Sequence, residues 1–248
     1  MKNELFACDI DNTLIYSKKH PHSGWTCVEW IHGEEQAYIS PHVLSRLPAV
    51  TERMRLVPVT SRSKEQYLRL RIPGDFSAAL TANGADLLLE GTPDPQWRRE
   101  TDALLSAWRE EIARCYALLS PSDRYIRLRV VDDAYLFVYC GKDTEPAAEA
   151  DRLQTLTNLQ VTADGKKIYL LPPPLNKGTA VKRMLERFGF SRCIAAGDGY
   201  MDLPMLRYAD RAVAPAKLAG MLPEGAFICP EERIFSDFVI DAVLETQR

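Results

Sequence analysis

The chain has 248 residues, of which 46% are hydrophobic and 26% are charged, and its formal net charge is −3. This length allows one large α/β domain or a core domain with a smaller inserted one. Without a block of like charge or an apolar stretch of roughly 18 residues, nothing favours nucleic acid or a membrane as partner. The N-terminal residues show no signal-peptide pattern. We expect a cytoplasmic protein, a monomer or weak dimer.

The cysteines and histidines form no recognisable metal pattern. The six cysteines are scattered, with no CxxC pair and no Cys/His cluster at zinc spacing. We interpret them as reduced core residues rather than as a disulfide framework. His20, His22 and His32 lie in one short window, but their spacing matches no metal site, and we interpret them as part of a surface loop.

Short apolar runs that end in small or polar residues occur at both ends of the chain, mostly separated by segments of helix length. The runs are ELFACDI, MRLVPVTS and FSAALTANG near the start, and RCIAAGDG, DRAVAPA and GAFICPE near the end. Buried strands alternating with helices predict an α/β fold, a Rossmann-like doubly wound parallel sheet covered on both faces. Ligands of such sheets bind beyond the carboxyl ends of the strands, where Asp9, Thr60 and Asp198 would lie.

Residues 24–40, GWTCVEWIHGEEQAYIS, follow the first strand closely. Their pattern predicts a β-hairpin that turns near His32 and Gly33. A hairpin inserted at this point would lie over the end of the sheet.

The middle of the chain has a different pattern. TDALLSAWREEIARCYALL predicts one long helix, YIRLRVVDDAYLFVYCG two strands around a turn at Asp132 and Asp133, and PAAEADRLQTLTNL and KKIYLLP a second helix and a further strand. With the preceding strand this β-α-β-β-α-β order predicts an antiparallel sheet with helices on one face. We therefore expect an inserted α+β cap domain at residues 85–174 and a core domain made of residues 1–84 and 175–248.

The segment NKGTAVKRMLERFG follows the proline-rich PPPLNKG, which would act as a stiff linker back into the core. Its apolar spacing predicts an amphipathic helix, with Asn176 as the N-terminal cap and Gly189 at the end. Lys177 would then lie in the first turn of this helix.

Four short elements place polar side chains at the predicted edge of the sheet. They are Asp9 with Asp11, Thr60 and Ser61 with Arg62, Lys177, and Asp198 with Asp202. Three acidic groups in one pocket require a cation, and Mg²⁺ binds one or two carboxylates together with a substrate phosphate. The hydroxyls and the lysine ammonium form a complementary anion site. Together they predict a site that holds a phosphoryl group for attack.

The series DIDNT, TSR, NKG and GDGYMD resembles the four motifs of the haloacid dehalogenase superfamily of phosphohydrolases. The insertion between the second and third motifs is similar to the large cap of the Cof-like and sucrose-phosphatase-like branch, and TANGADLLLEG resembles the crossing from core to cap. The resemblance implies a Mg²⁺-dependent phosphatase, a phosphoric monoester hydrolase. Its substrate would be a small phosphorylated metabolite, with a sugar phosphate as the leading candidate.

The resemblance also implies individual roles in catalysis. Asp9 would be the nucleophile that forms an aspartyl-phosphate, and Asp11 would be the general acid and then the base that activates water. Thr60 would bind the phosphoryl group, with Ser61 beside it, and Lys177 would neutralise its charge. Arg62 follows in the same motif and would contribute to phosphate binding.

The metal and substrate contacts follow from the same resemblance. Mg²⁺ would be bound by Asp9, by the backbone carbonyl of Asp11 and by Asp198, with Asp202 among or just outside its ligands. Asn83, at the crossing from core to cap, is a candidate for substrate contact. Asn12 stands where the family usually has glycine, and asparagine accepts left-handed backbone angles.

Two other functions stay open at this point. A sugar phosphomutase with a similar core and cap would keep water away from the aspartyl-phosphate until a second sugar hydroxyl attacks. A phosphate-binding protein without turnover would be expected to lack one of Asp9, Asp11, Lys177 or Asp198, and all four are present.

Overall fold

The computed structural model describes residues 3–20, 23–74, 76–120 and 122–246. Its first elements are β1 (Glu4–Cys8), β2 (Tyr16–Ser17), β3 (Thr26–Ile31), β4 (Glu34–Ile39), α1 (Pro41–Arg53), β5 (Arg55–Pro58), α2 (Lys64–Leu68), β6 (Ala78–Thr81), β7 (Asp86–Leu89) and β8 (Thr92–Pro93). Then come α3 (Pro95–Leu105), α4 (Arg109–Leu119), β9 (Tyr125–Val131), β10 (Tyr135–Cys140), α5 (Pro146–Gln154), β11 (Gln160–Asp164) and β12 (Lys167–Leu171). The last are α6 (Lys177–Phe188), β13 (Arg192–Ala196), α7 (Leu203–Tyr208), β14 (Arg211–Pro215), β15 (Phe227–Cys229) and α8 (Phe235–Glu245).

The central sheet is parallel, with its strands in the order β15, β14, β13, β1 and β5. Side chains alternate along a strand, so successive residues of β1 pack on opposite faces. Phe6 and Cys8 pack with α1 and α8, whereas Leu5 and Ala7 pack with α6 and α7. The predicted α/β fold, with a parallel sheet covered on both faces, is confirmed.

A second sheet is antiparallel, with its strands in the order β11, β12, β10 and β9. Helices α4 and α5 cover one face, where Leu136 and Ile168 are buried. On the opposite face Phe137 lies directly between Arg129 and Tyr169. The sequence predicted this sheet with helices on one face, and the turn between β9 and β10, but it did not predict β11.

The single helix predicted at residues 101–119 is two helices, joined by a 3-10 turn at Ser106–Trp108. Helix α3 buries Trp97 against the core, where its indole nitrogen donates to the carbonyl of Gly84 at 2.9 Å. Helix α4 buries Ile112 against the antiparallel sheet. The break in the helix allows each half to pack on a different surface.

Strand β6 was predicted as part of the parallel sheet, but it pairs antiparallel with β7, and β8 completes this small sheet. The chain reverses through a 3-10 turn at Ala82–Gly84, where Ala82 and Asn83 both have positive φ. A bridge between Val59 and Leu80 joins β6 to the end of β5. The division of the chain into a core and a cap domain stays a prediction.

The hairpin predicted at residues 24–40 is formed by β3 and β4. His32 and Gly33 occupy its turn with φ values of 52° and 82°, the left-handed angles that two-residue hairpin turns require. The register shifts on both sides of Glu29, so the strand is bulged there. His20 stacks on Tyr16, whereas His22 lies outside the described residues.

All six cysteines are free and five of them are buried, in agreement with their interpretation as core residues. Among the described residues, no helix has the length and apolar character needed to cross a membrane.

A buried carboxylate in the antiparallel region gives a prediction about acid stability. Glu149 accepts hydrogen bonds from Arg152 at 2.7 and 2.9 Å and also from Tyr125, and these bonds outweigh burial and lower its pKa to about 2. We expect Glu149→Gln to lower the free energy of unfolding at pH 7 by about 2 kcal/mol. The lowered pKa stabilises the fold above the ordinary value of 4.5, so the difference should shrink as the pH falls toward 2.

Urea unfolding of both proteins between pH 7 and pH 3 measures this effect. Glu110→Gln, at an exposed position of α4, is the control and should change the free energy of unfolding by less than about 0.5 kcal/mol. A difference between Glu149→Gln and the parent that stays constant down to pH 3 would contradict the prediction.

Candidate active site

The predicted functional side chains follow the carboxyl ends of neighbouring parallel strands. Asp9 comes directly after β1, Thr60 lies two residues after β5, and Asp198 lies two residues after β13. The backbone N–H of Asp9 donates to the carbonyl of Ala196 at 2.9 Å, which joins the ends of β1 and β13. The chain then turns at Asn12, whose φ is 59°. The strand ends therefore bring together residues that are far apart in sequence.

Lys177 lies at the centre of the site. It is the first residue of α6, whose start is capped by Asn176 accepting from the N–H of Thr179 at 2.9 Å. Its Nζ lies 2.5 Å from Asp9 Oδ1 and 2.5 Å from Asp202 Oδ1, and the residue is 3% exposed. The next residue must be glycine, because a Cβ at Gly178 would lie 2.5 Å from the carbonyl oxygen of Pro204. Close packing of α6 on α7 thus fixes the position of Lys177 at the start of α6.

Burial alone would lower the pKa of Lys177, but the charges of Asp202 and Asp9 raise it above its ordinary value. The lysine is therefore protonated. Burial raises the pKa of Asp9, and the nearby carboxylates of Asp202 and Asp198 raise it further, against the lowering effect of Lys177. Lys177 alone does not balance the three carboxylates of Asp9, Asp198 and Asp202.

Ligand oxygens of Asp9, Asp198 and Asp202 lie within 4.8 Å of one another. Burial and the charge of Asp202 raise the pKa of Asp198 to about 6. A divalent cation would relieve this repulsion, and carboxylate oxygens are the ligands that Mg²⁺ prefers. The residues present therefore fit a magnesium ion.

Of the three carboxylates, Asp202 is the least available to a metal ion, because both of its oxygens already accept hydrogen bonds at close range. One of its oxygens accepts from Lys177, and the other accepts from the N–H of Gly199 at 2.9 Å. A Cβ at Gly197 would lie 2.4 Å from the Cβ of Asp202, so the loop closes tightly around this side chain. Asp9 and Asp198 would therefore be better placed than Asp202 to bind a metal ion, whereas Asp202 holds Lys177.

The Asp11 side chain is bound by Arg62, the arginine that the sequence motif predicted to contribute to phosphate binding. Arg62 forms two hydrogen bonds with Asp11, both of 2.8 Å, and two with Glu29 of 2.8 and 2.9 Å. Burial alone would raise the pKa of Asp11, but the hydrogen bonds and charge of Arg62 lower it below its ordinary value. The Asp11 side chain is 42% exposed, whereas that of Glu29 is 5% exposed. Arg62 thus connects Asp11 to the hairpin.

Two adjoining cavities meet at Asp11, Ser61, Lys167 and Tyr169. The first, of about 190 Å³, contains the acidic cluster and Lys177, and the β11–β12 turn lies on its wall. The second, of about 420 Å³, extends between the hairpin and the antiparallel sheet. We call the first the reaction cavity and the second the side cleft.

The structure does not bring every predicted residue to a cavity wall. Ser61 lines both cavities, whereas Thr60 is 1% exposed and its hydroxyl accepts from the N–H of Arg62 at 3.1 Å. Asn83 lines neither cavity and is 1% exposed.

Sequence reasoning missed Lys217 and Glu29, two of the charged residues that line the cavities. Lys217 lies 3.5 Å from Asp198, and Glu29 binds Arg62. One feature of the sequence could have indicated Glu29: it is the only charged residue in the otherwise apolar stretch CVEWI. No such feature indicated Lys217, because it follows a strand as an ordinary exposed lysine would.

Comparison with known proteins agrees with the fold. Residues 121–217 match the family model of the haloacid dehalogenase-like hydrolases. Comparison with curated protein sequences gave no match. Among solved structures, a sucrose-phosphatase from Synechocystis, in complex with sucrose and phosphate, is similar with a TM-score of 0.64 and 17% identity over 99% of both chains.

Two further structures have the same fold. A trehalose-6-phosphate phosphatase related protein has a TM-score of 0.60 and 19% identity over 98% of both chains. A trehalose-6-phosphate phosphatase from Aspergillus fumigatus has a TM-score of 0.57 and 13% identity, over 99% of this chain and 93% of its own. At these identities the likeness establishes the fold. The family match over residues 121–217 agrees with the resemblance that the four motifs predicted.

Proposed function

We propose that this chain, which has the fold of the haloacid dehalogenase-like hydrolases and matches their family model over residues 121–217, is a phosphatase that hydrolyses a small sugar phosphate. The observation that supports it most strongly is Lys177 held between Asp9 and Asp202, with Asp198 beside them, at the end of a parallel sheet. The sucrose-phosphatase and the trehalose-6-phosphate phosphatase with the same fold favour a sugar phosphate as substrate.

Asp9 is the nucleophile in this proposal. One of its oxygens is held by Lys177, and the other lies 3.4 Å from the hydroxyl of Thr13. Its carboxylate attacks phosphorus, and the bond between phosphorus and the sugar oxygen breaks. A water molecule then attacks the phosphorus of the aspartyl-phosphate, which releases phosphate and restores the carboxylate. This route divides one difficult displacement into two easier ones.

Asp11 moves the proton in both steps. It gives a proton to the departing sugar oxygen and later accepts one from the attacking water. This requires that the pairing with Arg62 opens when substrate binds, because that pairing lowers the pKa of Asp11 and keeps it ionised. Its side chain lies at the boundary of the reaction cavity and the side cleft, where a leaving group would be. Because 42% of this side chain is exposed, water reaches it, as hydrolysis requires.

The charge of the phosphoryl group is balanced by donors on both sides. Lys177 stabilises the negative charge that moves onto the phosphoryl oxygens, and the hydroxyl of Ser61, which lines the reaction cavity, is a further donor in this proposal. Asp9, Asp198 and the backbone carbonyl of Asp11 would hold Mg²⁺. When bound, Mg²⁺ supplies positive charge that keeps Asp9 ionised and offsets its repulsion from the phosphate dianion.

Phosphate release from a panel of sugar monophosphates in the presence of Mg²⁺ tests the proposal. We expect free phosphate from at least one hexose phosphate and from p-nitrophenyl phosphate, a generic aryl phosphate. An isomeric sugar phosphate without free phosphate would indicate a phosphomutase and would contradict the proposal. So would failure to hydrolyse any member of the panel.

Removal of the metal gives a separate prediction. EDTA should abolish phosphate release, and Mg²⁺ should restore it. Asp198→Asn should raise the Mg²⁺ concentration for half-maximal activity by about tenfold or more, because one charged ligand is lost. Asp164→Asn is the matched control, since Asp164 lines the same cavity but lies outside the acidic cluster. Equal Mg²⁺ requirements for the two variants would contradict the metal assignment.

A further inference from the structure

The side cleft has more positive charge than its own carboxylates can neutralise. Four cationic side chains, those of Arg62, Arg69, Arg129 and Lys167, line it together with two carboxylates, Asp11 and Glu29. Both carboxylates are bound to Arg62 at 2.8 to 2.9 Å. The remaining three cations are therefore only weakly compensated.

Arg69 and Arg129 are the two cations best placed to bind a ligand. Arg69 reaches Glu29 only at 3.5 Å and Glu65 at 3.9 Å. Arg129 forms no ion pair among the residues that the structure describes, and its Nη2 donates to the side-chain oxygen of Gln66 at 3.1 Å. The Nε atoms of both arginines are buried and have no hydrogen-bond partner within the described part of the chain. A buried donor without a partner is costly.

The positions of both guanidinium groups are set by the fold. Arg129 lies on the face of the antiparallel sheet opposite to α4 and α5. Its guanidinium carbon is 5.2 Å from the centre of the Phe137 ring. Arg69 directly follows α2, three residues after Gln66, so both arginines lie near the same helix end. Two guanidinium groups fixed in this way suit a carboxylate or a phosphate, whose oxygens accept paired hydrogen bonds.

We propose that the side cleft binds a second anionic group of the substrate, held by Arg69 and Arg129 while the transferring phosphoryl group lies at Asp9. The inference rests on the proposed phosphatase function and specifies its substrate class: a phosphate monoester whose leaving group has a carboxylate or a further phosphate. Tyr135, Phe137 and Tyr169 line the same cleft and provide flat surfaces for the carbon skeleton between the two anionic groups.

Matched pairs of substrates test the inference. Sorbitol 6-phosphate is compared with 6-phosphogluconate, which has a carboxylate in place of the C1 hydroxymethyl group, and fructose 6-phosphate with fructose 1,6-bisphosphate, which adds a phosphate. We expect kcat/KM to be about tenfold higher, or more, for the acidic member of at least one pair. The pair that shows the preference identifies the second group as a carboxylate or a phosphate.

Arg129→Gln should reduce that preference ratio about fivefold or more, because it removes the charge and keeps a polar side chain. Arg127→Gln is the matched control. Arg127 is on the same strand and the same face but is exposed and does not line the side cleft. The control should leave the ratio unchanged. A general loss of structure would lower both rates of a pair together, so the ratio separates binding from folding.

The outcomes distinguish the two proposals. Hydrolysis of p-nitrophenyl phosphate with equal kcat/KM for both members of each pair would overturn the second anion site and leave the phosphatase proposal intact. A ratio that falls equally in Arg127→Gln and Arg129→Gln would overturn it as well. Absence of all hydrolysis would overturn both proposals.

Discussion

An Asp9→Asn variant is expected to release no measurable phosphate from any substrate that the parent chain hydrolyses, a loss of about 1000-fold or more in kcat/KM. The amide is too weak a nucleophile to form an acyl-phosphate bond. It has nearly the same shape as the carboxylate and removes one of three mutually repelling charges. The variant should therefore stay folded, with a melting temperature within a few degrees of the parent's.

The measurement is phosphate release with Mg²⁺, together with thermal unfolding of both proteins. Asp86→Asn is the matched control. Asp86 is 1% exposed and is paired with Lys64 and Arg98 at 3.3 and 3.5 Å, away from both cavities. Burial raises the pKa of Asp86, so a neutral amide is tolerated there, and hydrolysis should be unaffected. Full activity in Asp9→Asn would eliminate the proposed mechanism.

The parts of this site that could be predicted from the sequence depend on local signals. A buried strand that ends in a polar residue places that residue at the edge of a parallel sheet, and this holds for Asp9 and for Asp198. A cap at Asn176 and glycine at the end fixed the limits of α6 and therefore the position of Lys177. The α/β fold follows from the same alternation of strands and helices.

The parts that could not be predicted depend on contacts between distant segments. The pairing of Glu29 with Arg62 requires a bulged strand that buries a glutamate next to an arginine from a different loop. No local pattern specifies that bulge. In the same way, the apolar spacing of residues 101–119 fits a single helix, and only packing on two separate surfaces explains the break at Ser106–Trp108.

The difference between local signals and contacts between distant segments also explains why the sequence motif predicted phosphate binding for Arg62. Its position after Thr60 and Ser61 is part of a motif, and the motif brings it to the right edge of the sheet. Which anion it binds there depends on Asp11 and Glu29, and Glu29 comes from the hairpin. The pairing of Arg62 with Asp11 and Glu29 leaves Arg69 and Arg129 in the side cleft without a close carboxylate partner, and no local sequence pattern specifies that arrangement.

Replacing Lys177 should have a large effect on both activity and stability. Lys177→Met keeps a long side chain but leaves Asp9 and Asp202 without the cation that lies 2.5 Å from each. Loss of one partner from a buried ion pair costs about 3–5 kcal/mol, and we expect a fall of that size in the free energy of unfolding in buffer without Mg²⁺. Hydrolysis should fall about 1000-fold, because the phosphoryl charge loses its ammonium partner.

Mg²⁺ separates the two effects of this substitution. Bound at Asp9 and Asp198, it would offset part of the carboxylate repulsion, so Mg²⁺ should raise the melting temperature of Lys177→Met more than that of the parent. Activity should stay low in the same buffer, because the cation needed beside the phosphoryl group is still absent. Equal Mg²⁺ stabilisation of both proteins would contradict this account.

Lys182→Met is the control on the same helix. The Lys182 side chain is 57% exposed and pairs with Glu186 at 3.8 Å, so its loss should cost less than about 0.5 kcal/mol and leave hydrolysis unchanged. If Lys177→Met were as stable and as active as Lys182→Met, Lys177 would be neither the counter-ion of the acidic cluster nor a phosphoryl ligand. The compatibility of three adjacent carboxylates with binding a phosphate would then require a cation other than Lys177.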